Sequence, residues 1–218
     1  MAESFTLGCY WGPRFADPEE SASTTARCLQ RLGELNPILG TWYQKVNRPS
    51  DSLKYPVEID AAHIRPLLNC DDSLGCSLSL WNGQQAGVDF YLACGGTSPW
   101  VHNVLTLNFP SPEEEAGNLH SPSIMRSAME IAVHEWKPDQ AALFTYPMQE
   151  PQLETNGPHV GWMTYLNGSI PTTMLSDDEY VTEPFSTGTM ITIGDDPFAV
   201  TPEMTVRVAR KVLPANWT

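Results

Sequence analysis

Residues able to do chemistry are present, but their spacing does not assemble a reaction. His63, Cys70 and Cys76 are metal-ligand types in one stretch. The two cysteines have the form C-x5-C, wider than the C-x2-4-C of structural zinc sites, and no fourth ligand lies nearby. Core or loop thiols are the expected reading. His134-Glu135 opens as H-E-x-x-H does, yet Pro138 stands where the second histidine is required. Glu135-Trp136-Lys137 has the E-x-K form of a metal-dependent nuclease half-site, in which the acid holds a metal and the lysine approaches the attacked phosphate. Here it falls at a helix end rather than on a strand, which fits two solvated charges around a core tryptophan. Cys94-Gly95-Gly96 resembles an exposed nucleophile turn, but the apolar strand before it and the lack of a predictable histidine partner favour a buried thiol. The pairs Asp71-Asp72, Asp177-Asp178 and Asp195-Asp196 sit where turns and caps recruit aspartate, without calcium-loop spacing. The sequence therefore predicts no catalytic, metal-binding or cofactor-binding residue.

A chain of 218 residues with 41% hydrophobic and 17% charged residues is expected to form one domain over 1–218, and 19 prolines and 15 glycines imply many short elements. The start, "MAESFTLGCYWG", has neither the basic residues nor the apolar run of a signal peptide, and no later segment is long enough to span a bilayer. Five cysteines, an odd number without dense spacing, predict free buried thiols and a cytoplasmic protein.

Charge is the strongest compositional signal. The formal net charge is −14, and from Pro138 to Val206 there are ten Asp or Glu and no Lys or Arg. Such a field repels phosphate, which argues against direct binding of nucleic acid, and it steers in basic protein partners. It also fits a surface made acidic for solubility.

The elements needed to hold these residues follow from periodicity. Ser4–Trp11 alternates as a strand with Phe5, Leu7, Cys9 and Trp11 on one face. Gly12-Pro13 ends it, and Asp17-Pro18-Glu19-Glu20 starts a helix with an N-cap acceptor and a proline in the first turn. Ala22, Ala26, Leu29 and Leu32 form its apolar stripe, and Asn36-Pro37 stops it. Residues 47–58 read as a loop and "DAAHIRPLL" as a short broken helix. "CSLSLWNGQQAGVDFYLAC" predicts a hairpin with a type I′ turn at Asn82-Gly83. A strand "WVHNVLTLNF", a polar loop and a helix from Ser123 to Trp136 follow. Four strands and a final helix capped by Thr201 complete the pattern. Strands in runs with segregated helices predict an α+β fold, a mainly antiparallel sheet with about three to four helices packed on it.

"CYWGPR" at 9–14, "NPILGTWYQK" at 36–45, "GWMTYL" at 161–166 and "GTMITIGDDPF" at 188–198 together resemble the immunity protein 52 family of bacterial toxin systems. The resemblance spans most of the chain and is weakest from Asn47 to Asn118. It implies a non-enzymatic protein that binds and neutralises a cognate toxin with a restriction-endonuclease-like nuclease domain, including type VI secretion effectors. No family motif marks the interface. From charge alone, the candidate toxin contacts are Glu113, Glu114 and Glu115 on the polar loop, and Asp177, Asp178 and Glu179 before a strand. Each also fits a solvated turn. Two other readings are a metal-dependent hydrolase using clustered carboxylates and an adaptor that pairs through a sheet edge.

Overall fold

The alternating segment Thr6–Trp11 forms the first strand, β1, which lies at the middle of a sheet of 11 strands among the described residues. In the computed structural model, which describes residues 3–46, 48–72, 74–84, 87–99, 103–114, 117–153, 159–168 and 178–213, all pairings are antiparallel. On one side of β1 lie β7 (Asn103–Asn108), β6 (Asp89–Cys94), β5 (Gly75–Trp81), β2 (Trp42–Gln44) and β3 (Pro56–Val57). On the other lie β8 (Gln140–Phe144), β9 (Met163–Asn167), β11 (Gly188–Ile193) and β10 (Tyr180–Phe185), and β4 (Asn69–Asp71) pairs with β5 off the main path. The long helices are α1 (Pro18–Leu35), α4 (Pro122–Trp136) and α6 (Pro202–Val212). Three single turns, α2 (Pro49–Ser52), α3 (Ala61–Ile64) and α5 (Tyr146–Gln149), join them. The α+β class and the antiparallel sheet match the expectation.

Register fixes which residues share a face. Cys9 lies opposite Leu105 and Ala141, and Leu7 opposite Leu107 and Leu143. All are buried with Phe5 and Trp11, forming the inner face on which α1 and α4 pack. Full burial of one such leucine is worth roughly 2 kcal/mol against exposure. The helices supply Ala22, Ala26, Leu29 and Leu32 from α1, and Met125, Met129, Ala132 and Val133 from α4. Asp17 caps α1 by accepting from the Glu19 amide at 2.7 Å, and Thr201 caps α6 by accepting from Met204.

Among the described residues, helix covers the opposite, outer face at one end only. Tyr180, Ile193 and Thr164 lie on it, and α6 packs there: Lys211 stands 5.7 Å from the Tyr180 ring centre, and Val208 and Val212 are buried. Strands β8 and β9 are accordingly buried nearly throughout. In β5, β6 and β7, by contrast, every second residue is partly or fully exposed, the pattern of a sheet solvated on one side.

Three expectations change. The Asn82-Gly83 hairpin pairs Trp81 with Asp89, so its connection is residues 82–88 rather than a two-residue turn. Asn82 organises it: its amide donates to the Val88 carbonyl, and its Oδ1 accepts from the Val88 amide at 2.9 Å. The side chain thus does what the tight turn was expected to do. Residues 47–58 are not only loop, since α2 and β3 lie within them. Cys70 and Cys76, expected as free thiols, face each other across the β4–β5 ladder and form a disulfide. Cys9, Cys28 and Cys94 are free and buried. With one bond formed, cysteine usage ceases to argue for a reducing compartment. Among the described residues, no helix is long and apolar enough to cross a membrane.

Candidate functional site

The corner after β1 gathers several of the chemically suggestive residues into one cleft of about 450 Å3. It is lined by Trp11, Arg14, Phe15, Cys94, Glu135 and Lys137, among others. Their local roles are structural. Trp11 stacks on Trp136, with ring centres 5.7 Å apart. The Arg14 guanidinium donates to the carbonyls of Trp136 and Lys137 at 3.1 and 3.0 Å, placing a cation on the C-terminus of α4, where unpaired carbonyls and the helix dipole favour it. Lys137 itself ends the helix in the left-handed region, with φ of 48°. The Gly12 amide donates to Asp139 Oδ2 at 2.8 Å, and Asn103 donates to the Gly12 carbonyl at 2.7 Å. "CYWGPR" therefore welds a strand end to a helix end.

Glu135, the acid of the E-x-K triplet, accepts from Arg27 Nε at 3.0 Å and from Arg31 at 2.9 Å. Both carboxylate oxygens are thus engaged by α1. Desolvation pushes this carboxyl up, but the hydrogen bonds and charges of Arg31 and Arg27 outweigh it and leave the group below its ordinary value. A depressed carboxylate contributes stability that is present above its unfolded pKa and is lost as pH falls through the folded one. Glu135→Gln is therefore expected to lower unfolding free energy by about 1–2 kcal/mol at pH 7, discounted because both arginines are largely exposed. Urea melts should show that difference shrinking below about pH 4.

The thiols are poor nucleophiles. Burial pushes Cys9 up, and burial with the Glu135 charge nearby pushes Cys28 up to about 12. Burial also raises Cys94, whose Sγ lies 3.4 Å from Ser21 Oγ. A thiolate at neutral pH is disfavoured at all three. His63 is not brought to Cys70 and Cys76 but to Glu58 and Asp60, with possible ligand atoms within 4.8 Å of one another. Asp60 there caps α3 and pairs with His63 Nδ1 at 2.8 Å.

A second concavity, of about 560 Å3, lies where the outer layer stops. Thr6 and Phe144 form its floor; Ser111, Glu113 and Glu114, with Glu3 and Ser4, form one side, and Tyr146 and Gln149 of α5 the other. Glu113 and Glu114 are exposed. Tyr146 is 61% exposed. Among the described residues this groove is lined by three carboxylates and no Lys or Arg. Glu3 and Tyr146 went unnoticed in the sequence because nothing local marks them as neighbours of Glu113.

The second acidic group divides differently. Glu179 accepts from Arg207 Nε at 3.0 Å and from Lys211 Nζ at 2.8 Å, so it anchors α6 to the start of β10. Asp178 is exposed beside it. Glu115 and Asp177 lie outside the described residues.

The other quoted motifs have equally local explanations. A Cβ on Gly161 would stand 2.1 Å from the Leu143 carbonyl oxygen, and one on Gly188 2.1 Å from that of Leu166, so both glycines let strands approach. Asp196 accepts from the Phe198 amide at 2.9 Å, and the Phe198 ring lies edge-on to Phe5 at 5.5 Å.

Comparison with known proteins bears on the fold and the family. A solved structure, "Pseudomonas aeruginosa T6SS protein PA0821", superposes with a TM-score of 0.56 at 13% identity, covering 96% of this chain and 75% of that one; the likeness is one of fold. No curated protein matches the sequence. The sequence profile of immunity protein 52 matches residues 3–215, and the chain belongs to that family.

Proposed function

We propose that this protein neutralises a cognate nuclease toxin by binding it, without catalysis of its own. Family membership over residues 3–215 carries the reading. The net charge of −14 supports a nuclease as target, because a domain that holds phosphate presents basic residues that an acidic inhibitor can match. The carboxylates at Glu113 and Glu114 are exposed and line the groove, which suits that role, and Glu179 is paired with Arg207 and Lys211 of α6. A type VI secretion setting is the natural extension of the fold shared with the Pseudomonas aeruginosa protein. The proposed place of action is the cytoplasm, where a DNA-cleaving toxin meets its substrate. There the bond from exposed Cys70 to Cys76 is open to thiol exchange.

Co-purification with the toxin-like product encoded beside the gene tests this. A stable complex whose association slows as salt rises is expected. Failure to bind that product would remove it as the partner.

A further inference from the structure

The outer face of β1, β7, β6 and β5 is the broad part of the sheet that no described helix covers, and its side chains are unusual for a merely solvated surface. Tyr10, Tyr91 and Trp81 project there, with Tyr43 of β2 beside Trp81 at 6.4 Å between ring centres. Tyr91 is 40% exposed and the other three are partly exposed. The rings of Tyr10, Trp81 and Tyr43 lie close to glycines. A Cβ on Gly8 would meet the Tyr10 hydroxyl at 2.6 Å, one on Gly87 the Trp81 Nε1 at 2.1 Å, and one on Gly83 the Tyr43 ring at 2.4 Å. The missing side chains let the rings lie close to the backbone, so part of the entropy of ordering an aromatic contact is lost on folding rather than on binding. Serine and threonine fill the intervening positions, as Ser77, Ser79 and Thr106.

The acidic groove adjoins this face, since Thr6 belongs to both. We propose that the open aromatic face and the Glu3–Glu113–Glu114 groove form one continuous docking surface for an arginine- and lysine-bearing surface of the toxin. This rests on the immunity reading above. The chemistry is complementary on two counts: carboxylates attract the cations over distance, and aromatic faces receive guanidinium or ammonium groups at contact. Tyrosine and tryptophan held at the centre of such a patch are the residue types that dominate binding energy. Nucleic acid is disfavoured as occupant by the same carboxylates.

The test is calorimetry for affinity and stopped-flow association kinetics across salt concentrations with the toxin encoded beside the gene, using wild-type protein, Tyr91→Ala, the double variant Glu113→Gln/Glu114→Gln, and Phe15→Ala on the corner cleft. Tyr91→Ala is expected to weaken binding at least tenfold, the glutamine pair to slow association severalfold and flatten its salt dependence, and Phe15→Ala to leave affinity unchanged. Hydroxyl-radical labelling of wild-type protein gives a readout independent of folding defects, with Tyr91 and Trp81 protected in the complex. If wild-type protein does not bind, the immunity reading for that toxin fails and this one with it. If wild-type protein binds while Tyr91 stays labelled and Tyr91→Ala keeps full affinity, the docking surface is wrong and the immunity reading stands.

Discussion

Replacing Trp11 with alanine lowers the unfolding free energy by about 3–5 kcal/mol, the range for removing a buried tryptophan from a packed core. Trp11 is 3% exposed and stacks on Trp136, which is itself buried. The substitution removes the ring and leaves Trp136 facing a void at the point where β1 meets the end of α4. Chain collapse into that void is limited, because Arg14, Asp139 and Asn103 fix the surrounding backbone by hydrogen bonds. Thermal unfolding should show a fall in midpoint of roughly 10 °C or more. A loss below about 1 kcal/mol would mean that the corner is not the weld described above.

Gly161→Ala is the second large effect. Residue 161 precedes β9, and the added methyl carbon would lie 2.1 Å from the Leu143 carbonyl oxygen and 2.7 Å from its carbon. Those are backbone atoms of β8, so no side-chain rotation relieves the clash, and the two strands must separate. The hydrogen bond from the Gly161 amide to Thr164 Oγ1, at 3.0 Å, would be disturbed as well. Overpacking of this kind costs about 1–3 kcal/mol, and a backbone clash belongs at the upper end. Denaturant melts of the purified variant measure it, and unchanged stability would contradict the strand packing assigned to this glycine.

Much of the positioning framework was legible in the sequence because it rests on local rules. Alternation placed Phe5, Leu7, Cys9 and Trp11 on one face, and Asp17 and Thr201 were recognisable caps because their side chains satisfy amides only two or three residues away. The 82–88 connection was misread because Asn82 closes it through its own side chain, a choice the Asn-Gly pair does not reveal. The Cys70–Cys76 bond required β4, a strand of three exposed residues with no apolar period to announce it. The acidic groove was half visible. Glu113 and Glu114 stand out as a charge run, but Glu3 and Tyr146 reach them only through the pairing of β1 with β7 and β8. Glu179 shows the limit of charge reasoning, since its role is decided by Arg207 and Lys211 on a helix distant in sequence.

The most direct measurement is cleavage of DNA by the toxin encoded beside the gene, titrated with this protein. Neutralisation by binding predicts that activity falls linearly and is abolished near an equimolar ratio. Undiminished cleavage at a several-fold excess of this protein would contradict it.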